Sequence, residues 1–404
     1  MRKLVVRTTI LAASFFTSIT ASSCAQEIID GKVHVPERRI EGFIYDGADR
    51  QAVMNTLDKI STREGEAEGS WVHEWMQIAN AELERAKIAA EVEDRESAER
   101  LYFSAANYFA IAGFPEFHTK AEKEALKQHF IAYEQGGSFM EVPMEIVEVE
   151  TKGENFKAYL HKPQGVKKPP LILWTHGTDK FKGHAYKTVK RLLSRGFAVV
   201  TFDLAGTGES TFWKLRSDGD FVHMAVLDAM ASREDIDTGN IFEVGVSFGG
   251  HYAAKMAAQN DPRLRAVASL CGPVHSAFML RPEQISAILE TEEGATVRAF
   301  AHRIGADVSD PESVSRSVKR FSLVEQGLIG QGTTIETPLL VMNGGRDSLA
   351  PISDLELLAD SAETSELWVM GMAGHCAREY FEPAVTDVVE WLRQYTNFDE
   401  LGIK

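Results

Sequence analysis

From Glu66 to about Tyr133 apolar side chains recur at helical spacing: Trp71, Trp75, Ile78 and Ala79 share a face, and "ESAERLYFSAANYFAIAG" continues with alanines and aromatics. Gly113 and Pro115 then punctuate the chain, and a further helix is expected to begin near His118. Roughly three helices are predicted, with Trp71, Trp75, Tyr102, Phe103, Tyr108 and Phe109 expected in their core, the wall of a pocket being the alternative. The alanine-rich pair occurs once, whereas a helical solenoid needs at least about three copies.

Beyond Pro143 the pattern shortens. "MEIVEVET" and "NFKAYLHK" read as an antiparallel hairpin around Gly153. Six short apolar runs follow: "PLILWTH" (170–176), "GFAVVTFD" (196–203), "NIFEVGV" (240–246), "LRAVASLCG" (264–272), "TPLLVMNG" (337–344) and "ELWVMGM" (366–372). Runs of that kind suit parallel strands buried on both faces. Helical segments near 184–195, 219–233, 249–259, 352–362 and 380–394 separate most of them, which predicts an α/β chain with a mostly parallel, doubly wound sheet. Between Gly272 and Thr337 more than 60 residues of helical pattern intervene. An insertion of that size in a compact sheet is expected to lie over the site as a cap, with a substrate pocket beneath it.

The first 25 residues stand apart, with Arg2, Lys3 and Arg7 followed by an apolar stretch from about Ile10 to Ile19 and then small residues. That layout is a secretory leader, too short for a stable membrane span, and it predicts export to the periplasm or the medium. Cleavage before Gln26 is expected, with lipidation of Cys24 as the alternative. Only Cys271 and Cys376 would then remain, too few for a disulfide framework. With 44% hydrophobic and 25% charged residues the rest reads as an ordinary globular protein. A net charge of -16 repels nucleic-acid phosphates and anionic membranes, so neither is an expected partner.

The chemistry centres on "VGVSFGGHY". Ser247 lies in G-x-S-x-G spacing between an apolar strand and an alanine-rich helix, the strand-turn-helix setting of a nucleophile elbow. The helix N-terminus behind it would supply backbone N–H groups to a developing oxyanion. A serine hydroxyl needs a base and the base an orienting carboxylate, expected here in the order serine, acid, histidine. Asp347 just after "TPLLVM" and His375 just after "ELWVM" meet that order at two strand ends. Taken alone, Asp347 could cap a helix and His375 could be a loop histidine; three residues at three suitable strand ends make coincidence a poor account. The oxyanion donors expected are the N–H groups of Phe248 and Thr178, with Gly177 in reserve, and His176 is read as a brace for that loop.

Other motifs are weaker. Gly206-Thr207-Gly208 in "FDLAGTGES" lacks the third glycine of a dinucleotide fingerprint and reads as a tight turn, to which Asp203 and Ser210 are expected to hydrogen-bond together. His73-Glu74 lacks a histidine four positions beyond His73, and no metal or other cofactor is expected. Cys271 and Cys376 both end near the crevice and are taken as packing residues, a redox bridge being the alternative.

Together "AERLYFSAANYFAIAGFPE", "FDLAGTGES", "VGVSFGGHYAAKMAAQNDPRLRAVASLCGPVH", "NGGRDSLAP" and "AGHCA" resemble the FrsA-like esterases of the α/β-hydrolase superfamily, from about Trp71 to Leu392. The resemblance implies an α/β-hydrolase fold whose N-terminal helical region helps to cover the site. It also implies a carboxylesterase-like serine hydrolase with Ser247, Asp347 and His375 at the triad positions. Some relatives cleave carbon-carbon bonds beside a ketone, so a small-molecule ester or ketone is the expected substrate. The family's proposed link to a cytosolic sugar-transport phosphocarrier does not carry over to an exported chain. A catalytically silent binding protein of the same fold has no need of all three residues. The expected organisation is a leader (1–25), an N-terminal extension and helical lid region (26–140), a first core part (141–273), a helical cap (274–335) and a second core part (336–404).

Overall fold

Turn-forming side chains start three of the five N-terminal helices by accepting first-turn N–H groups that have no partner within the helix. A short ladder of β1 (Ile28–Ile29) and β2 (Lys32–Val33) precedes α1 (Glu37–Asp46), α2 (Arg50–Leu57), α3 (Trp71–Glu91), α4 (Arg95–Gly113) and α5 (Lys120–Phe139). Asp49 caps α2 through the Ala52 N–H at 2.9 Å, Asp94 caps α4 through that of Ser97 at 3.1 Å, and Thr119 and Glu122 form a reciprocal capping box on α5. The computed structural model describes residues 28–29, 32–115, 119–291 and 294–396, and the expected leader lies outside them. Helices α3, α4 and α5 pack side by side. Gly136 permits this, because a Cβ there would stand 3.2 Å from the Phe103 ring. All six aromatic residues singled out in this region are buried.

The sheet comprises β3 (Glu145–Thr151), β4 (Glu154–His161), β5 (Pro170–Thr175), β6 (Ala198–Thr201), β7 (Asp237–Val246), β8 (Leu264–Leu270), β9 (Leu339–Gly344) and β10 (Ser365–Met370). Between them run α6 (Tyr186–Leu193), α7 (Phe221–Ala231), α8 (Phe248–Ala258), α9 (Pro282–Leu289), α10 (Gly294–Ile304), α11 (Pro311–Lys319) and α12 (Ile352–Asp360), and α13 (Phe381–Arg393) closes the described chain. Strand order is β10-β9-β8-β7-β5-β6-β4-β3, parallel except for β3 and β4. Lys152 and Gly153 both have positive φ and form the two-residue hairpin turn between β3 and β4. This is the mostly parallel α/β sheet expected from the alternating pattern.

Order along the chain reverses at β5, which pairs with β6 on one side and β7 on the other. The carboxyl ends beside such a switch point form the ligand crevice of open α/β sheets. Thr175 of β5 is level with Gly245 of β7, so the segments leaving these strands, Gly177 and Ser247 among them, are neighbours. Val246 is likewise level with Leu270, and Leu270 with Met342.

Two apolar clusters sandwich the sheet. One joins Trp174, Phe242 and Val244 to Trp391 and Val388 of α13 and to Trp75, Phe109 and Tyr133 of the N-terminal helices, so those helices share a core with the sheet. The other packs Leu171, Leu173 and Val267 against α7, α8 and α12. Helices α9 to α11, within the long insertion, converge on a third cluster around Phe248, where Phe278, Phe300 and Phe321 meet its ring at centroid distances of 5.2–6.0 Å.

Candidate active site

Ser247 occupies the turn between β7 and α8 with φ 57° and ψ -120°, a conformation that side-chain-bearing residues adopt only when their surroundings impose it. The glycines around it have a steric reason. A Cβ on Gly245 would fall 2.1 Å from the Gly249 carbonyl oxygen, and one on Gly249 would fall 2.6 Å from that of His176. The Ser247 amide is held by the Leu270 carbonyl at 2.8 Å and also lies 3.3 Å from Cys271 Sγ, while its carbonyl accepts the His251 N–H. The amide of Phe248, in the first turn of α8, is left without an intrahelical acceptor.

Ser247 Oγ lies 2.9 Å from His375 Nε2, and His375 Nδ1 lies 2.6 Å from Asp347 Oδ2. The structure therefore brings together three residues separated by 100 and 28 positions along the chain. In the tautomer this geometry requires, Nδ1–H donates to the carboxylate and Nε2 accepts from the serine hydroxyl. The Asp347 side chain is 1% exposed and that of His375 19%, a dry carboxylate behind a partly open imidazole. Burial works to raise the Asp347 pKa, but hydrogen bonding and charge from His375, the Asn343 amide and the Leu349 N–H together hold it below the ordinary carboxylate value.

Gly177 stands against the serine: a Cβ there would lie 3.0 Å from Ser247 Cβ and 3.2 Å from Oγ. Thr178 is the next residue on the same loop. His176 accepts from Trp174 Nε1 at 3.3 Å, and burial drops its pKa to about 3, so it is neutral.

The chain matches the family described as Esterase FrsA-like over residues 48–396. It belongs to the FrsA-like esterase family. Relatives include Esterase FrsA of Vibrio cholerae serotype O1, 28% identical over 304 residues that span 74% of this chain and 70% of the relative. Another is Esterase FrsA of Yersinia pestis, 26% identical over 348 residues, 85% and 80% of the two chains. Among solved structures, the 2,6-dihydroxy-pseudo-oxynicotine hydrolase superposes with a TM-score of 0.76 over 89% of this chain and 96% of its own, at 23% identity. AbyA5 does so with 0.69 over 89% and 94%, at 21% identity. The fold is that of the α/β-hydrolases, and this FrsA-like esterase is a carboxylesterase-like hydrolase.

Asn343 and Lys182 of this FrsA-like esterase carry no local signal in the sequence. Asn343, fully buried at the end of β9, donates to Asp347 Oδ2 at 2.6 Å and to the Ala350 carbonyl at 2.8 Å, and its Oδ1 accepts from the Gly344 and Cys376 N–H groups at 2.8 and 3.0 Å. All four of its hydrogen-bonding positions are filled, which fixes the amide orientation. Asp203 takes the Lys182 N–H, the Lys182 ammonium at 2.6 Å and the Glu209 N–H. Asp203 and Ser210 both hydrogen-bond the glycine turn, as expected, Asp203 through its side chain and Ser210 through its backbone, whose carbonyl accepts from Gly206. Lys182, 1% exposed, bridges Asp203 and Glu209 beneath the loop.

The cysteines also depart from expectation. Cys271 and Cys376 form a disulfide, the alternative to the packing role expected of them, because β8 and the loop after β10 end on either side of β9. Ligand atoms of Cys271, His375 and Cys376 lie within 4.8 Å of one another, but with both sulfurs in the bond the cluster offers no thiolate to a metal.

A cavity of about 30 Å³ is lined by Phe43, Phe114, Arg39, Asp179, Lys180 and Arg378 among others, and its lining includes none of Ser247, Asp347 and His375. It is the size of one or two water molecules. Arg39 of α1 pairs with Asp179 at 2.6 Å, touches Thr296 of α10 at 3.1 Å and lies over the Phe114 ring, joining the N-terminal helices, the loop after β5 and the insertion. Burial opposes the charge on Asp179, yet Arg39 and Arg378 hold its carboxyl well below the usual range. A larger groove of about 560 Å³ between β3 and α7 borders none of Ser247, Asp347 or His375. Among the described residues no helix is long and apolar enough to cross a membrane.

Proposed function

We propose that the chain cleaves a small-molecule ester through an acyl-enzyme on Ser247. The observation that carries this reading is the continuous relay from Ser247 Oγ through His375 to Asp347, at 2.9 and 2.6 Å, set on a strained strand-to-helix turn. As Oγ attacks the acyl carbon, His375 Nε2 takes the hydroxyl proton, and Asp347 stabilises the imidazolium that results. The imidazolium then gives its proton to the leaving alcohol; water, activated by the same nitrogen, releases the acid. The N–H of Phe248 and that of Thr178, with Gly177 as the alternative, hold the oxyanion. The approach of Gly177 to Ser247 supports a donor from that loop.

The insertion at 274–335 and the N-terminal helices act as covers. Phe248 under the aromatic residues of the insertion, and Arg39 between α1, the loop after β5 and α10, support that role. Residues 1–25 act as a cleaved export leader, and a buried disulfide suits an oxidising compartment.

The test is hydrolysis of a short-chain and a long-chain nitrophenyl ester by the chain from Gln26 beside its Ser247→Ala variant, with fluorophosphonate labelling of both. Turnover should fall by about 10⁴-fold or more in the folded variant. Turnover that survives the substitution refutes the assignment. Labelling of Ser247 without ester hydrolysis would redirect the search to ketone substrates and carbon-carbon cleavage.

A further inference from the structure

The loop that carries His375 does not hold its shape through local preference. Cys376 and Ala377, directly after the histidine, have φ of 62° and 47°, a left-handed stretch that residues with a Cβ avoid. Tertiary ties impose it. Ala377 N–H closes on the Gly374 carbonyl at 2.9 Å, Cys376 N–H on Asn343 Oδ1 at 3.0 Å, and Cys376 Sγ is bonded to Cys271.

The other end of that bond is anchored more firmly. Cys271 directly follows β8, which is paired on both sides, and its N–H donates to the Met342 carbonyl at 2.6 Å. Its sulfur lies 3.3 Å from the Ser247 amide nitrogen. The covalent tie thus runs from an atom touching the serine's backbone to the residue after the histidine, across 105 positions of sequence. Both cysteines are buried.

We propose that the Cys271–Cys376 disulfide positions His375 for proton transfer with Ser247, so that the enzyme turns over in the oxidised state and loses turnover when this bond is reduced. The proposal rests on the roles given above to Ser247 and His375. A dithiol reductant opens the bond by exchange: one reagent thiolate attacks a sulfur and expels the other, and the second reagent thiol closes a cyclic disulfide. Two electrons and two protons end on Cys271 and Cys376. Two thiol sulfurs must stand roughly 1.5 Å farther apart than two bonded ones. With Cys271 fixed by β8 and β9, the displacement falls on the His375 loop. A misplacement of about 1 Å in a reacting group can cost roughly 100-fold in rate.

The experiment compares the full chain as oxidised enzyme, after reduction by a small dithiol, and after reoxidation, with Cys271→Ala/Cys376→Ala as a second route should the buried bond resist the reagent. Nitrophenyl acetate turnover, fluorophosphonate labelling of Ser247, the thiol count per chain and thermal unfolding are read on each. The expected result is a fall in kcat of about 10- to 100-fold with KM within about twofold, in enzyme that is still folded at the assay temperature and has gained two thiols. Reoxidation restores kcat. Unchanged kcat with both thiols free overturns the proposal, as does a loss that only follows the unfolded fraction. Absence of labelling in the oxidised enzyme would instead sink the reading of Ser247 itself, so the two failures are distinguishable.

Discussion

Asn343→Asp is the most informative single change near the site. It keeps the shape of the side chain and its two acceptor contacts to the Gly344 and Cys376 N–H groups, but replaces the donor that faces Asp347 Oδ2 at 2.6 Å with a carboxylate oxygen. Two such charges relaxed to about 4 Å repel by about 4 kcal/mol at an effective dielectric near 20. At about 1.4 kcal/mol per pKa unit this lifts one ionisation of the pair by about 3 units above an unfolded carboxylate near 3.9. The folded variant then binds a proton that the unfolded chain has released, so its stability falls as pH rises, by up to about 1.4 kcal/mol per unit between roughly pH 4 and 7. The wild type has no such term, because its Asp347 is held low. Denaturant unfolding of both proteins at pH 5, 6, 7 and 8 measures the difference directly. kcat should fall below that of the wild type, most at the lower pH values where the proton is held, since a proton shared between the carboxylates weakens the acceptor that His375 Nδ1 uses. Parallel stability curves across that range would refute the placement of Asn343 as the donor to Asp347.

Gly245→Ala should remove activity, since its Cβ would fall 2.1 Å from the Gly249 carbonyl oxygen and the turn carrying Ser247 must move; kcat/KM is expected to drop at least about 100-fold on nitrophenyl acetate. Lys182→Met strands the carboxylate of Asp203 in a buried site and should destabilise the fold by about 3–5 kcal/mol in denaturant titration. Buried histidines set the acid limit. Burial lowers the pKa of His129 to about 4 and those of His161 and His251 to about 3, below the ordinary histidine value of 6.5. The unfolded chain therefore binds more protons below pH 6.5, and each histidine removes up to about 1.4 kcal/mol per unit as pH drops from there toward 4. A thermal unfolding midpoint that stays flat between pH 6.5 and 4.5 would contradict this.

Much of the architecture was legible along the chain because it is local. Period-two and all-apolar runs mark strands, the 3.6 spacing marks helices, and the eight strands of the sheet lie where those runs predict. Ser247 could be read from its glycines because an elbow admits no Cβ beside it, and Asp347 and His375 because strand ends in this topology face one crevice. The sequence alone therefore determined the fold class and which three residues to test.

Tertiary structure alone decided what holds them. Asn343 looks like any residue before a glycine pair until β9 is seen between β8 and the loop after β10, and the same strand order makes Cys271 and Cys376 partners. Arg39 meets Asp179 across 140 positions and Thr296 across 257, contacts that no spacing rule reaches. The physical reason is that backbone propensity acts over a few residues. Ion pairs, buried amides and disulfides depend instead on which distant segments the sheet order brings to one edge, and there a buried polar group is costly unless its partners are in place.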